Sequence, residues 1–392
     1  MNLRKKKRIY LDHAASTPCD KYVLLEIKKC HKKYFANPKA IHREGTSARN
    51  ILAEKRKKIA GILGAQEEEI IFTGSGTESD NLAIKGVVNY YRKLVNNPHV
   101  ITINIEHPAV LESCRILTEE KIDITFLPVE KNGIINLKLL KESLKENTVL
   151  ISVMYANNEI GTIQPIQEIS KIIRQHREKY NKETPFFHTD AVQATNYLLL
   201  KVAKLGVDLM SLNSSKIYGP KGVGILYKKR GVPLNPIIFG GNQEYGFRAG
   251  TENIALISGF SKALEMVEKV KEKELERITK LHHYFINKIS SDFSTIIING
   301  DQIKTLPNIV NISIPNIESE LLIIELDARG IAVSAGAACK TGSESHVIKA
   351  IQSADSRIMG NIRFSFGRTT RRSDLNYAFL SLKKILQKYK IL

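Results

Sequence analysis

Short apolar runs alternate with longer amphipathic stretches through the first two-thirds of the chain. IIFT, HVITINI, DITFLPV, TVLISVMY and FFHTD have the length and β-branched content of buried strands. Between several of them lie stretches of helical periodicity, such as Ser79 to Arg92 and Pro165 to Tyr180. That alternation predicts an α/β domain built on a largely parallel sheet, whose ligands collect at the carboxyl ends of the strands. A Lys- and Glu-rich helical stretch follows from about Thr251 to Ser290. The texture then changes: STIIIN, NIVNISI and IRFSFG read as strands, and Glu318 to Arg329 and Ser373 to Tyr389 as helices. These form a smaller α/β unit, an open sheet with helices on one face, tied to the first by the long helix.

Composition narrows the class. The 392 residues, 43% hydrophobic and 25% charged, suit a globular chain of two or three domains that needs no disulfide or metal for its core. Formal net charge is +19, mostly Lys on helical stretches, with a local excess at Arg4 to Arg8. This reads as a solvated basic surface, or as attraction to an acidic partner such as tRNA or an acidic sulfur acceptor. No basic motif with interleaved aromatics is present, so direct nucleic-acid binding is not expected. The four cysteines, Cys19, Cys30, Cys114 and Cys339, have neither metal-ligand spacing nor the density of a disulfide framework, which fits a reducing, cytoplasmic compartment. No run approaches the ~20 apolar residues that span a bilayer, and no secretion signal follows the basic N-terminus.

Four segments carry candidate chemistry. In DLMSLNSSKIYGPKGVGILY, a strand ends in hydroxyl and amide residues, then Lys216, then a glycine-rich turn; such a lysine is a candidate imine-forming amine or a plain surface lysine. PFFHTDAVQATN delivers Asp190 to a strand end with Gln193 behind it, as the partner of a pyridinium nitrogen or as a helix cap. IIFTGSGTESDNLAIKG places glycines and a helix start after a strand, an anion site that lacks the Gly-Lys-Ser/Thr of a P-loop. Cys339 lies among Ala335, Gly336, Ala337, Ala338, Gly342 and Ser343, as an accessible thiol or a packing residue.

Taken in order, YLDHAASTP, ANPKAIHREG, TGSGTESDNLAIKG, IEHPAVLESC, YANNEIGTIQPI, HTDAVQA, SSKIYGPKGVG, GGNQEYGFRAGTEN, AGAAC and IRFSFGRTT span Tyr10 to Thr370. On these segments the chain resembles a cysteine desulfurase of the class V aminotransferase superfamily. The resemblance implies a type I pyridoxal-phosphate fold of the aspartate aminotransferase kind. Residues 16–262 would form a large domain on a mostly parallel sheet of seven-stranded type. Residues 1–15 and 263–392 would form a small domain carrying the cysteine loop. It implies pyridoxal 5'-phosphate as cofactor, no metal, and a homodimer. The reaction implied takes sulfur from L-cysteine, gives L-alanine, and leaves a persulfide for an acceptor protein, an iron–sulfur scaffold or a tRNA-thiolation protein.

By the same resemblance, Lys216 carries the cofactor and Asp190 pairs with its ring nitrogen. Gln193 bonds the ring hydroxyl, and His107 stacks on the ring and moves protons. Gly76 and Thr77 donate to the phosphate, and Asn213 and Ser215 belong to the same cradle. Thr251 reaches the phosphate of the other subunit. Asn158 and Arg363 hold the substrate carboxylate, where the Arg fork suits a carboxylate. Cys339 is the nucleophile that becomes a persulfide.

The chain departs from the family at several points. Ser215 stands where histidine is usual, Asn213 where serine is usual, and Asn242 and Tyr245 where glycine and arginine are common. GSESHV replaces the usual Leu-Glu-Pro approach to the next helix. The end at Leu392 leaves delivery to an iron–sulfur scaffold a weaker expectation than persulfide formation. Alternatives are a relative acting on selenocysteine or cysteine sulfinate, which needs no cysteine nucleophile, and a non-catalytic sulfur-relay scaffold.

Overall fold

A computed structural model describes residues 8–336, 345–352 and 359–391. Cys339 and the basic residues 4–7 lie outside the described residues.

The apolar runs form one seven-stranded sheet. Its spatial order is Ile70–Thr73, Gly224–Lys228, Leu209–Asn213, Phe186–Asp190, Thr148–Ser152, His99–Ile103, Asp123–Leu127. Neighbours from Leu209–Asn213 to Asp123–Leu127 pair in parallel. Gly224–Lys228 runs antiparallel to both of its neighbours. That strand was not anticipated, because GVGILY has no alternation to separate it from the glycine-rich turn before it. The central strands are buried on both faces, which explains their continuous apolar runs. Helices Gly76–Tyr91 and Pro108–Glu119 cover one face; Arg43–Leu63, Ile166–Tyr180 and the long helix cover the other.

The long helix, Ile254–Asp292, has 39 residues and so spans about 58 Å. Its first half gives Ile257, Phe260, Leu264 and Val267 to the large core. Its second half gives Ile278, Leu281, Phe285 and Ile289 to a second core. One continuous helix, apolar on a stripe that changes partner midway, therefore joins the two units. The second unit contains a three-stranded antiparallel sheet ordered Met359–Ser365, Ile309–Pro315, Ile297–Ile298, with helices Ser319–Ala328 and Arg372–Lys388. Val310, Ile312 and Ile314 point into its core, while the alternate positions Asn311 and Ser313 join Asn299, Asn361 and Gln352 in a buried amide ladder. The N-terminus belongs here as well: Ile9–Tyr10 pairs in parallel with Ile331–Ala332. The short helix His346–Ile351 crosses over, packing Val347, Ile348 and Ile351 into the large core.

One buried ion pair fixes the glycine-rich segment. Arg56 donates to both carboxylate oxygens of Glu244, at 2.8 and 2.6 Å, and Glu244 also accepts from the Phe72 amide at 2.7 Å. Glu244 and Tyr245 both adopt positive φ, 45° and 58°, and Tyr245 lies over the Arg56 guanidinium. Removing one partner strands a buried charge. Glu244→Ala should therefore lower unfolding free energy by about 3–5 kcal/mol, read from the denaturant midpoint; an unchanged midpoint would show the pair is dispensable.

Candidate active site

The strands Thr148–Ser152, Phe186–Asp190 and Leu209–Asn213 end on one edge of the sheet, and their last residues and following loops frame a cavity of about 260 Å³. Its wall includes Gly76, Thr77, His107, Asn158, Asp190, Gln193, Asn213, Lys216 and Arg363. Chain segments more than 280 residues apart thus meet as the sequence led one to expect. Ser215 and Thr251 do not line it, and Thr251 is exposed.

Asp190 is the last residue of its strand and is 7% exposed. Its Oδ1 accepts from the Val192 amide at 2.9 Å. Burial pushes its carboxyl up to about 6, against the pull of that amide and of the Lys216 charge. Lys216 closes the 3-10 turn Ser214–Lys216, and its Nζ donates to the Ala15 carbonyl. The turn is set by Asn213, whose Oδ1 accepts from the Ser215 amide at 3.1 Å and faces the Ser215 hydroxyl at 3.3 Å. The Ser215 hydroxyl is thus directed at its own loop.

On the opposite wall, the helix starting at Gly76 is capped by Ser75, whose Oγ accepts from the Glu78 amide at 3.0 Å. Gly76 needs to be small: a Cβ there would come within 3.0 Å of Val192 Cγ2 and 3.3 Å of Asn213 Cβ, filling the space. Free N–H groups at such an N-terminus favour an anion. His107 caps the Pro108 helix, its Nδ1 accepting from the Ala109 amide at 3.1 Å. That bond puts the ring proton on Nε2. Burial, with the Lys216 and His346 charges, lowers its pKa to about 4, so the ring is neutral at pH 7. Gln193 donates to the Ala14 carbonyl at 2.9 Å.

Arg363 is 2% exposed. Nη1 donates to the Asn158 carbonyl at 2.7 Å and Nη2 to Asp12 at 2.9 Å. Nε is buried without a partner. A guanidinium whose Nη atoms are engaged and whose Nε is unpaired, on a residue that lines the cavity, has capacity left for a carboxylate.

Three buried acids were not singled out from sequence. Asp80 lines the cavity from the second turn of the Gly76 helix; it is 1% exposed and its Oδ1 stands 3.6 Å from His188 Nε2. Glu106 precedes His107 and accepts from the Met154 amide at 2.6 Å. Glu159 follows Asn158 and lines the cavity. Burial, with Asp190 close by, pushes the Asp80 and Glu106 carboxyls well up. Only a polar residue on the buried face of an amphipathic helix could have flagged Asp80; nothing local flags the other two.

These groups suit a phosphorylated pyridine aldehyde. One cavity wall holds a buried acid able to accept from a ring N–H, a helix N-terminus with small residues suited to a phosphate, and an amine able to form an imine. Among the described residues, no cluster of His, Cys, Asp and Glu could hold a metal ion, and no helix is long and apolar enough to cross a membrane. An acid at this position can hold a ring N–H⁺ only when ionised, so if Asp190 has that role the affinity of the apo-protein for pyridoxal phosphate should fall as pH drops below about 6. Asp190→Asn should flatten that fall, as followed by fluorescence titration. Equal pH profiles for the two proteins would remove Asp190 from the role.

The aminotransferase class-V family pattern matches residues 9–377. The chain is 44% identical over 385 residues to a protein of Dictyoglomus turgidum named cysteine desulfurase IscS, covering 98% of this chain and 95% of that one. It is 41% identical to the putative cysteine desulfurase IscS 1 of Bacillus subtilis, over 92% of this chain and 94% of its relative. Among solved structures, a NifS-like protein superposes with a TM-score of 0.90 at 33% identity, covering 97% of this chain and all (100%) of the other.

Proposed function

From the premise that the chain belongs to the aminotransferase class-V family, we propose that it is a pyridoxal-phosphate-dependent cysteine desulfurase. The observation that carries this is the convergence of Lys216, Asp190, His107 and Arg363 on one cavity whose wall also includes Gly336. Gly336 is three residues before Cys339, and three residues reach at most about 11 Å.

Pyridoxal phosphate, when bound, supplies an electron sink for the bond broken at the α-carbon of the amino acid. The chain's own groups do the rest. Arg363 and the Asn158 side chain receive the carboxylate of L-cysteine. Asp190, ionised, holds the proton on the ring nitrogen. Lys216 would hold the cofactor's aldehyde carbon and, as a free amine, would accept the α-proton of the substrate. His107, neutral with its proton on Nε2, would stand against the ring and relay protons. Gly76, Thr77 and Asn213, with Ser215 behind Asn213, form the phosphate cradle. The Cys339 thiolate attacks the substrate sulfur. An S–S bond forms as the C–S bond breaks, the carbon fragment leaves as alanine after taking up a proton, and the cysteine retains a persulfide.

Thr251 is assigned to the phosphate of a second copy. Phe35, Ile41, Phe239 and Tyr245 expose large apolar side chains that a homodimer would cover. The persulfide would pass to an acceptor protein, an iron–sulfur scaffold or tRNA-thiolation protein, in the cytoplasm; a net charge of +19 favours an acidic docking face. We also propose the division into 16–262 against 1–15 with 263–392, supported by the change of core along the long helix; Leu264 and Val267 on that helix, and Val347, Ile348 and Ile351 on the short one, pack with the larger unit instead.

The test is a single turnover of the purified holoenzyme with L-cysteine. Alanine and Cys339 persulfide should appear in equal amounts. Alanine from cysteine sulfinate, with no persulfide from cysteine, would replace this reading by that of a desulfinase.

A further inference from the structure

Arg363 belongs to a strand of the smaller unit, yet it lines a cavity framed by the strand ends of the larger one. A buried guanidinium needs a counter-charge, and its plane must be fixed if its fork is to meet a carboxylate. Two groups from distant parts of the chain serve as anchors. The Asn158 carbonyl accepts from Nη1 at 2.7 Å, and Asp12 Oδ1 accepts from Nη2 at 2.9 Å. Among the described residues, Asp12 is the carboxylate paired with Arg363. Glu159, which also lines the cavity, gives its Oε2 to the Ser345 hydroxyl instead.

Asp12 is itself held by backbone. It bridges to Ser365, two residues beyond Arg363 on the same strand and so on the same face of it. The Leu11 amide donates to the Ala332 carbonyl at 2.9 Å, the Ser365 amide to the Leu11 carbonyl at 2.7 Å, and the Ala14 amide to Ser365 Oγ at 2.9 Å. The Asp12 carbonyl closes a turn by accepting from the Ala15 amide at 3.1 Å. Past the turn, the Ala14 and Ala15 carbonyls accept from Gln193 and Lys216, and Thr17 Oγ1 donates to the Ser215 carbonyl at 2.9 Å. Residues 12–17 thus touch Arg363, Gln193, Lys216 and Ser215, and Asp12 supplies their only acidic side chain. The Arg363 side chain is 2% exposed against 20% for Asp12, so water cannot readily take the place of the carboxylate at Nη2.

We propose that Asp12 is a positioning residue that sets the preference of this enzyme for amines bearing a carboxylate: it fixes the Arg363 guanidinium so that the α-carboxylate of an amino acid meets a fork of set orientation. Asp12 touches neither substrate nor cofactor in this role. The proposal rests on Arg363 being the carboxylate receptor, and its test separates the two claims.

The experiment titrates the visible absorption of the holoenzyme with two amines. L-Alanine, the carbon product of the proposed reaction, carries the carboxylate; ethylamine is the same amine without it. The ratio of their half-saturating concentrations measures carboxylate recognition. General damage to the cavity weakens both amines, whereas a misplaced Arg363 weakens only L-alanine. Wild type is compared with Asp12→Ala, Asp12→Asn, Arg363→Met and the double variant Asp12→Ala with Arg363→Met.

Wild type should favour L-alanine. Asp12→Ala should reduce that preference by on the order of 10-fold, through L-alanine alone. Asp12→Asn keeps an oxygen for Nη2 and should restore the preference to within a few-fold of wild type. Arg363→Met should abolish it, and adding Asp12→Ala should then cost nothing more. The proposal is overturned if Asp12→Ala keeps the wild-type ratio while Arg363→Met loses it. It is equally overturned if ethylamine weakens in parallel or the visible absorption is lost, if asparagine behaves as alanine does, or if the two losses add in the double variant. A wild-type ratio in Arg363→Met would defeat the receptor assignment itself, and the role of Asp12 with it.

Discussion

Lys216→Ala is expected to abolish turnover, lowering it by on the order of 10³-fold or more, and to leave a protein that no longer keeps its visible absorption after desalting. Two losses combine. The amine proposed to hold the aldehyde carbon and to accept the α-proton is gone. The positive charge that draws Asp190 toward its ionised form is gone too, so the buried acid meets an incoming ring with its proton more firmly held. Size adds nothing comparable: Lys216 ends a turn whose Asn213 and Ser215 bonds do not involve its side chain, so the loop should keep its shape. Absorption after desalting and alanine release from cysteine check this. Wild-type turnover in the variant would mean that another amine does the work.

The second large effect is expected at Cys339→Ser. This variant should bind cofactor and show the absorption change with L-cysteine, because none of the described cavity groups is altered. Persulfide and sulfide should fall by on the order of 10³-fold. A serine hydroxyl at neutral pH is almost wholly protonated and is a poor nucleophile toward sulfur, whereas a thiolate is a good one. Sulfide released at the wild-type rate would show that cysteine is desulfurated without a protein thiol. The contrast between the two variants is informative in itself: one loses the early spectral event, the other only the late sulfur transfer.

Much of this site was legible because its residues sit in short strings with local logic. Asp190 ends an apolar strand, Lys216 ends a hydroxyl-rich turn, and Gly76 opens a helix after a strand; each follows from the chain within ten residues of it. The resemblance then joined the strings. The acids behind them were not legible, because their meaning lies in partners far along the chain. Glu159 meets Ser345 across 186 positions, and Asp12 meets Arg363 across 351. No periodicity announces such contacts. Two details of the fold were hidden for a similar reason. The strand Gly224–Lys228 turns back antiparallel within a sheet expected to be largely parallel, since direction is decided by a short turn and not by the strand's own pattern. The helix His346–Ile351 follows the small unit in sequence, yet its three apolar residues fit the larger core. Ser215 replaces an expected histidine and is oriented by Asn213, a substitution at the neighbouring odd position; the two departures form one local arrangement.

The central claim is that Lys216, Asp190 and the Gly76 helix surround one aldehyde-bearing ring. Borohydride reduction of the purified holoenzyme, followed by peptide mapping, tests it most directly, because reduction locks the aldehyde carbon onto whichever amine holds it. The phosphopyridoxyl mass should fall on the peptide containing Lys216 and vanish in Lys216→Ala. Label on another lysine, or none on a protein that turns over cysteine, would contradict the account.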